Sequence, residues 1–156
     1  MFRFVAFFLA TMAFASVLHA QDENRQFTIL QNWQPTDEAC NPSIAVSVSL
    51  SDLLREPDSH QGMCVRIEGF YRGRALFLQK RDIRRKYPSQ NKTSENRRLG
   101  IYASDDQFRE LARSDATKVR LVGLVSRCDA LRDANTIMVM GYCHYTDGPI
   151  IGLPKD

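Results

Sequence analysis

The chain has 156 residues, of which 44% are hydrophobic and 25% are charged. This length is enough for one domain with a sizeable hydrophobic core, and it is too short for two such domains. The formal net charge is +3 at pH 7. A net charge this close to zero does not indicate whether the protein binds acidic or basic partners.

Residues 1–20 are predicted to be a secretory signal peptide. A positive start at Arg3 precedes the apolar run Phe4–Ala15, which falls short of the roughly 20 apolar residues that span a bilayer. We expect cleavage after Ala20, which gives the more usual length, although Ala13-Phe14-Ala15 has the better small-x-small form. The alternative of a buried N-terminal helix is disfavoured, because Phe4–Ala15 lacks a polar face. The predicted location is periplasmic or secreted, with no lipid-attached cysteine and no transmembrane segment after signal removal.

All four cysteines follow the predicted signal peptide, at Cys40, Cys64, Cys128 and Cys143. An even number of cysteines in an exported chain predicts two disulfides, for which three pairings are possible. Metal binding is the alternative, since Cys143 and His144 are adjacent potential ligands. No Cys-x-x-Cys pair is present and neighbouring residues on a strand point to opposite faces, so spacing argues against zinc.

The first half of the mature chain starts with an extended N-terminal arm at 21–48. A short helix is predicted at 49–55, because leucines share one helical face behind serine caps. Alternation of apolar and polar residues indicates a strand at 63–71, and a turn joins it to a second strand at 75–78. A long polar loop follows at 81–96.

The second half begins with a third strand at 99–103. Ser104 can then cap a helix with a glutamine at the capping-box position. A fourth strand is predicted at 118–126 and a fifth, largely apolar strand at 136–145. Glycine and prolines indicate an irregular C-terminal tail at 146–156.

This order of elements predicts an all-β fold with minor α content. It is that of a small five-stranded barrel of the oligonucleotide/oligosaccharide-binding (OB) type, with one helix between strands 3 and 4 and a short helix before strand 1. The domain spans 49–145. Four segments of it resemble uncharacterised exported bacterial proteins thought to have this barrel: Ser49-Leu50-Ser51-Asp52-Leu53-Leu54, Gly62-x-x-Val65-Arg66-Ile67-x-Gly69-Phe70, Ala75-Leu76-Phe77-Leu78 and Val119-x-Leu121-Val122-Gly123. The resemblance implies the fold and no catalytic residue.

The barrel also predicts a disulfide pattern, because its first and fourth strands pair antiparallel. Alignment of Gly69 with Gly123 places Cys64 opposite Cys128. We therefore expect those two cysteines to bond, and Cys40 to link the arm to Cys143.

Basic residues are concentrated at 72–98, a segment that we call the basic zone and that carries a charge of about +8 against about −6 for the rest of the mature chain. Arginines pair with phosphates or carboxylates, and aromatic rings stack on bases or sugars. The predicted ligand-binding residues are Arg72, Arg74, Arg81, Arg84, Arg85, Arg97 and Arg98 with Tyr71 and Tyr87; Phe70, Phe77 and Tyr102 are further stacking candidates.

The function that these features favour is an exported, non-enzymatic binding module of unknown ligand, without metal or cofactor. The expected partner is an anionic glycan, a lipid headgroup or an acidic envelope protein, and export argues against nucleic acid. One alternative is a structural or interaction protein of the cell envelope. Another is an enzyme, either a hydrolase using Glu68 with an arginine or a thiol chemistry using Cys143 and His144.

Overall fold

The computed structural model describes residues 28–30, 32–84, 97–132, 136–144 and 146–155. The predicted signal peptide lies outside these residues, as does most of the polar loop. Within the described ranges, no helix is both long enough and apolar enough to cross a membrane.

Strands dominate the described part of the chain, which also contains two α-helices. The helices are α1 (Leu50–Arg55) and α2 (Asp105–Ala112). The strands are β1 (Thr28–Leu30), β2 (Val46–Ser47), β3 (Cys64–Arg72), β4 (Ala75–Phe77), β5 (Arg98–Tyr102), β6 (Lys118–Arg127), β7 (Thr136–Val139) and β8 (Pro149–Gly152).

Five of these strands close into a barrel in the order β3, β4, β5, β8, β6, with β6 returning to β3. The pairing of β5 with β8 is parallel, and the other four pairings of the barrel are antiparallel. Helix α2 connects the third barrel strand, β5, to the fourth, β6. The fold is therefore a small all-β barrel of the OB type, as predicted.

The apolar residues of the alternating sequence pattern that predicted the strands fill the barrel interior. Along β3, the buried residues Val65, Ile67, Gly69 and Tyr71 alternate with residues that are partly or fully exposed. Leucines, isoleucines and valines from β4, β5, β6 and β8 complete this core, and α1 closes one end of it with three buried leucines. Burial of these apolar side chains supplies the main driving force for folding.

Both helices begin at the serines that the sequence indicated. The Ser49 side chain accepts a hydrogen bond from the Asp52 backbone N–H at the start of α1. At α2, Ser104 and Gln107 form a reciprocal capping box. Each cap satisfies backbone donors that lack a partner within the helix.

The prediction of the fifth barrel strand was wrong. That strand is β8, which lies in the segment expected to be an irregular tail, and all four of its residues are buried. A strand buried on both faces shows no alternation, and its flanking Gly148 and Pro149 resemble turn signals. The segment predicted as the fifth strand instead contains β7, which pairs in parallel with β1 of the arm outside the barrel, followed by a 3-10 turn at Gly141–His144.

The four cysteines form two disulfides, but the predicted pairing was also wrong. Cys40 bonds Cys64, with Cα atoms 5.1 Å apart, and Cys128 bonds Cys143, with Cα atoms 5.2 Å apart. The error lies in the register, because Cys64 lies opposite Leu124 and not opposite Cys128.

Gly69 and Gly123 do not pair, because each makes room for a different element. A β-carbon at Gly69 would meet Leu50 of α1, whereas one at Gly123 would meet the backbone and side chains of β8. Gly69 consequently lies opposite Val119, which moves the alignment of the two strands by four residues.

Candidate functional site

The described arginines of the basic zone lie at or near the ends of the first three barrel strands. Arg72 is the last residue of β3, Arg74 is in the turn to β4, and Arg98 is the first residue of β5. Arg81 lies in a 3-10 turn, Lys80–Arg84, that follows β4. No salt bridge among the described residues involves Arg72, Arg74, Arg81 or Arg98.

Two of these arginines are held at the 3-10 turn. The Arg72 guanidinium donates a hydrogen bond to the carbonyl oxygen of Ile83, at 3.4 Å. Arg97 lies 3.6 Å from the carboxylate of Asp82, whose side chain is only 7% exposed. Arg97 therefore neutralises a buried carboxylate, whereas Arg72 contacts a neutral carbonyl and forms no salt bridge with a described residue.

Arg74 and Arg98 both lie beside the 3-10 turn Gly141–His144, which we call the strap. The Arg74 guanidinium lies over the ring of Phe108, 4.5 Å from its centre, and a β-carbon at Gly141 would be 3.4 Å from its Nη1. The Arg98 guanidinium lies over the ring of Tyr142 at 5.3 Å, and its buried Nε has no hydrogen-bond partner among the described residues.

The predicted aromatic residues of the site are less accessible than expected. Tyr71 is only 3% exposed and belongs to the barrel core, so it does not face a ligand. Its inward position follows from the alternation of β3, because it lies an even number of residues from Val65. Burial raises the pKa of its hydroxyl. The side chain of Arg84 and the whole of Arg85 and Tyr87 lie outside the described residues.

The strap and the arm cover the outer face of β5 and β8. The ring of Tyr142 lies against Gly100, where a β-carbon would overlap it, and the ring of Trp33 lies against Gly152 in the same way. Trp33 also packs edge-on against Tyr102, with ring centres 6.5 Å apart. In OB barrels the strand 2–3 face commonly binds the ligand, but here the chain itself occupies much of that face.

Several bonds hold the strap in this position. Its Cys143 is joined to Cys128 at the end of β6. The buried hydroxyl of Tyr102 donates to the Met140 carbonyl oxygen at 2.6 Å and accepts from the Cys143 backbone N–H at 3.2 Å. Arg132 donates to the Cys143 carbonyl oxygen at 2.8 Å. Burial raises the pKa of Tyr102, so its hydroxyl remains a donor at neutral pH.

The outer surface of β3 and β6 remains partly exposed, and the strand register shows which of its residues are neighbours. Phe70 of β3 lies opposite Lys118 of β6 on one side and opposite Phe77 of β4 on the other. Phe77 in turn lies opposite Arg98 of β5. We call these four residues the aromatic row. Both phenylalanines were stacking candidates, whereas Lys118 was missed because its position beside Phe70 depends on the register.

Glu68 lies beside this row in an ion-paired cluster. It accepts hydrogen bonds from Arg120, with Nε at 2.7 Å, and forms a salt bridge with Lys118, also at 2.7 Å. The hydrogen bond from Lys118 and then that from Arg120 lower the pKa of Glu68 to about 2. A general acid needs the opposite shift, so the cluster does not support the hydrolase hypothesis.

The other enzymatic hypothesis required a thiol at Cys143. Cys143 is fully buried and bonded to Cys128, so it offers no nucleophile. His60 has its Nδ1 2.9 Å from the Glu56 carbonyl oxygen, near the end of α1.

A shallow open depression of about 470 Å³ lies near the end of β6, and none of its described lining residues belongs to the basic zone. Its lining consists of Asp58, Gln61, Arg127, Asp129 and Ala130. Arg127 is held by both carboxylates, at 2.7 Å from Asp58 and 3.0 Å from Asp129. The hydrogen bond from Arg127 lowers the pKa of Asp129. The depression therefore offers no free positive charge to an anion.

Comparison of the chain with protein-family models, with curated proteins and with solved structures finds no match.

Proposed function

We propose that this protein is an exported binding module whose arginines at 72–98 bind an anionic ligand, without catalysis. One observation carries the proposal: Arg72, Arg74, Arg81 and Arg98 have no acidic partner in any salt bridge of the described residues. Outside the zone, five of the seven described arginines form a salt bridge with a carboxylate, whereas Arg66 and Arg113 form none with a described residue. The contrast supports a role for the unpaired arginines toward an external anion.

Export is supported by the two disulfides together with the N-terminal sequence. Disulfides persist in oxidising, extracytoplasmic compartments and are rare in a reducing cytosol. The run Phe4–Ala15 has the length of a signal-peptide core. In such a compartment an anionic glycan, a lipid headgroup or an acidic envelope protein is available, whereas nucleic acid is not a regular component.

A second candidate function is that of an interaction protein of the cell envelope. The two-stranded sheet of β1 and β7 favours it, since Ile29 lies opposite Met138 and these side chains are 49% and 40% exposed. Met140, 41% exposed, follows directly after β7. Exposed apolar side chains next to one another are typical of protein-contact surfaces.

The test compares charge-neutralised variants of the mature protein. The probes are an oligogalacturonate, a neutral oligosaccharide of the same length, and vesicles with or without phosphatidylglycerol. We expect the double variant R72Q/R74Q to weaken binding of an anionic probe by at least about tenfold, since one charge-assisted hydrogen bond contributes about 1.5 kcal/mol.

The matched control is R55Q/R113Q, which removes the same charge from exposed positions outside the basic zone. It should bind as the unmodified protein does. Equal losses in both double variants, or no binding of any anionic probe by the unmodified protein, would contradict the proposal. A specific envelope protein captured without any small ligand would favour the second function.

A further inference from the structure

We propose that the aromatic row, Lys118–Phe70–Phe77–Arg98, is the part of the surface that selects the ligand, and that the ligand is an acidic oligosaccharide. The inference rests on the proposed function and goes beyond it by naming the ligand class and the residues that recognise its rings.

The row is continuous across four strands of the barrel. In an antiparallel ladder, residues directly opposite one another project from the same face. Lys118, Phe70, Phe77 and Arg98 are such successive partners, from β6 through β3 and β4 to β5. With neighbouring strands about 4.8 Å apart, the row is about 14 Å long, which is enough for two to three sugar rings.

The face that carries the row is the outer one. Along β3, Phe70 shares its face with the partly exposed Glu68 and the exposed Arg72, while Gly69 and Tyr71 point inward. On β4, Leu76 is fully buried in the core and Phe77 is partly exposed on the opposite face. Two adjacent phenylalanine rings that retain access to solvent form an apolar platform of the kind on which sugar and base rings stack.

The two ends of the row are positive. At one end, the buried Nε of Arg98 has no hydrogen-bond partner in the described part of the chain, and its guanidinium forms no salt bridge there. At the other end, Lys118 and Arg120 share the single carboxylate of Glu68, so this trio keeps a net charge of +1. Acidic groups on a ring that lies across the phenylalanines would meet a cation on either side.

The strap covers only part of the outer face, so it leaves room for a binding surface on the aromatic row. Tyr142 covers Gly100, which lies two residues beyond Arg98 on β5, and Phe77 packs at the edge of the same outer cluster. The closed part of the outer face thus reaches the Phe77 and Arg98 end of the row, and Phe70 is not among the described residues of that cluster. The strap positions the Arg98 guanidinium through its contact with the Tyr142 ring.

Rings together with charges favour an oligosaccharide over a lipid headgroup, because a single headgroup uses the cations but not the apolar platform. Nucleic acid has both rings and charges, but it is not regularly present in an oxidising, extracytoplasmic compartment. An acidic glycan is the ligand class that uses the platform, uses both cations and belongs to that compartment.

The experiment measures binding of the mature protein to a hexamer of galacturonic acid. Single-stranded oligothymidylate and phosphatidylglycerol vesicles are the competing probes. Phe70→Ala is the main variant, and Val122→Ala is its matched control, an apolar residue opposite Arg66 on the same two strands and outside the row. Arg98→Gln is paired with the control Arg113→Gln. Circular dichroism and unfolding midpoints show that each variant is folded.

We expect F70A and R98Q each to weaken hexamer binding by about tenfold, as removal of one stacking platform or one charged contact does, while V122A and R113Q leave it within about twofold. Unchanged binding by folded F70A would overturn the inference. If R72Q/R74Q still weakens binding in that case, the proposed function stands and only the ligand assignment fails. Tighter binding of oligothymidylate or of vesicles than of the hexamer would also overturn it.

Discussion

The ring of Tyr142 lies against the backbone of Gly100, so closely that a β-carbon at Gly100 would overlap it. This contact closes the outer face of β5, and the disulfide from Cys143 to Cys128 keeps the strap in place over it. The proposed binding surface is thereby confined to the edge of the covered face, where the described arginines of the basic zone and the aromatic row lie.

Substitution of Gly100 by alanine should destabilise the fold by about 1–3 kcal/mol, because an added methyl group in a packed contact forces side chains or backbone to move. Urea unfolding measures the change. In a Y142A background the same substitution should cost much less, since the ring that it displaces is gone. An equal cost of G100A in both backgrounds would contradict the contact.

Each disulfide should contribute about 3 kcal/mol to stability, given the loops of 24 and 15 residues that they close. Replacement of one pair by serines, in C40S/C64S or C128S/C143S, should lower the unfolding midpoint accordingly. Peptide mapping without reduction should recover Cys40 joined to Cys64 and Cys128 joined to Cys143. Recovery of Cys64 joined to Cys128 would contradict the register of β3 and β6.

Glu68 should make stability depend on pH in the acid range. Its pKa falls from 4.5 to about 2 on folding, chiefly through the hydrogen bond from Lys118. A lowered pKa stabilises the fold fully above pH 4.5, and this stabilisation is lost as the pH falls toward 2. Urea midpoints between pH 6 and 2 should therefore fall less steeply for Glu68→Gln than for the unmodified protein. Glu110→Gln, at an exposed position on α2, is the control and should leave the slope unchanged.

Tyr102→Phe should loosen the strap at a cost of about 1–3 kcal/mol, because it leaves the Met140 carbonyl oxygen and the Cys143 N–H without their partner. Hydrogen exchange at the Cys143 amide should accelerate at the same time. Tyr71→Phe is the control: this tyrosine is also buried, but its hydroxyl has no hydrogen bond to another described residue. Similar effects of both substitutions would argue against a specific role for the Tyr102 hydroxyl.

The strands with one face in the core and one outside could be predicted from sequence, and so could both helix starts. Val65 and Ile67 alternate with polar residues, and Ser104 with Gln107 specifies a capping box. Strand β8 could not be recognised in this way, because burial on both faces removes the alternation. The apolar pair Ile150-Ile151, between Pro149 and Gly152, was the sequence feature that could have indicated this strand.

The candidate site was only partly predictable from sequence, because it depends on contacts between residues that are far apart in the chain. The concentration of arginines at 72–98 is visible in the sequence, but which of them are already paired depends on contacts such as that of Arg97 with Asp82. Lys118 lies 48 positions from Phe70 and becomes its neighbour only through the register of β3 and β6. The same register decides the disulfide pairing, and it depends on the elements that Gly69 and Gly123 contact.

The salt dependence of binding to the galacturonate hexamer tests the central claim most directly. If unpaired arginines of the basic zone bind the acidic groups, affinity should fall steeply between low and high NaCl concentration, and R72Q/R74Q/R98Q should show both weaker binding and a shallower dependence on salt. Binding that is unchanged by salt, or that the triple variant retains in full, would contradict an anion-binding role for this surface.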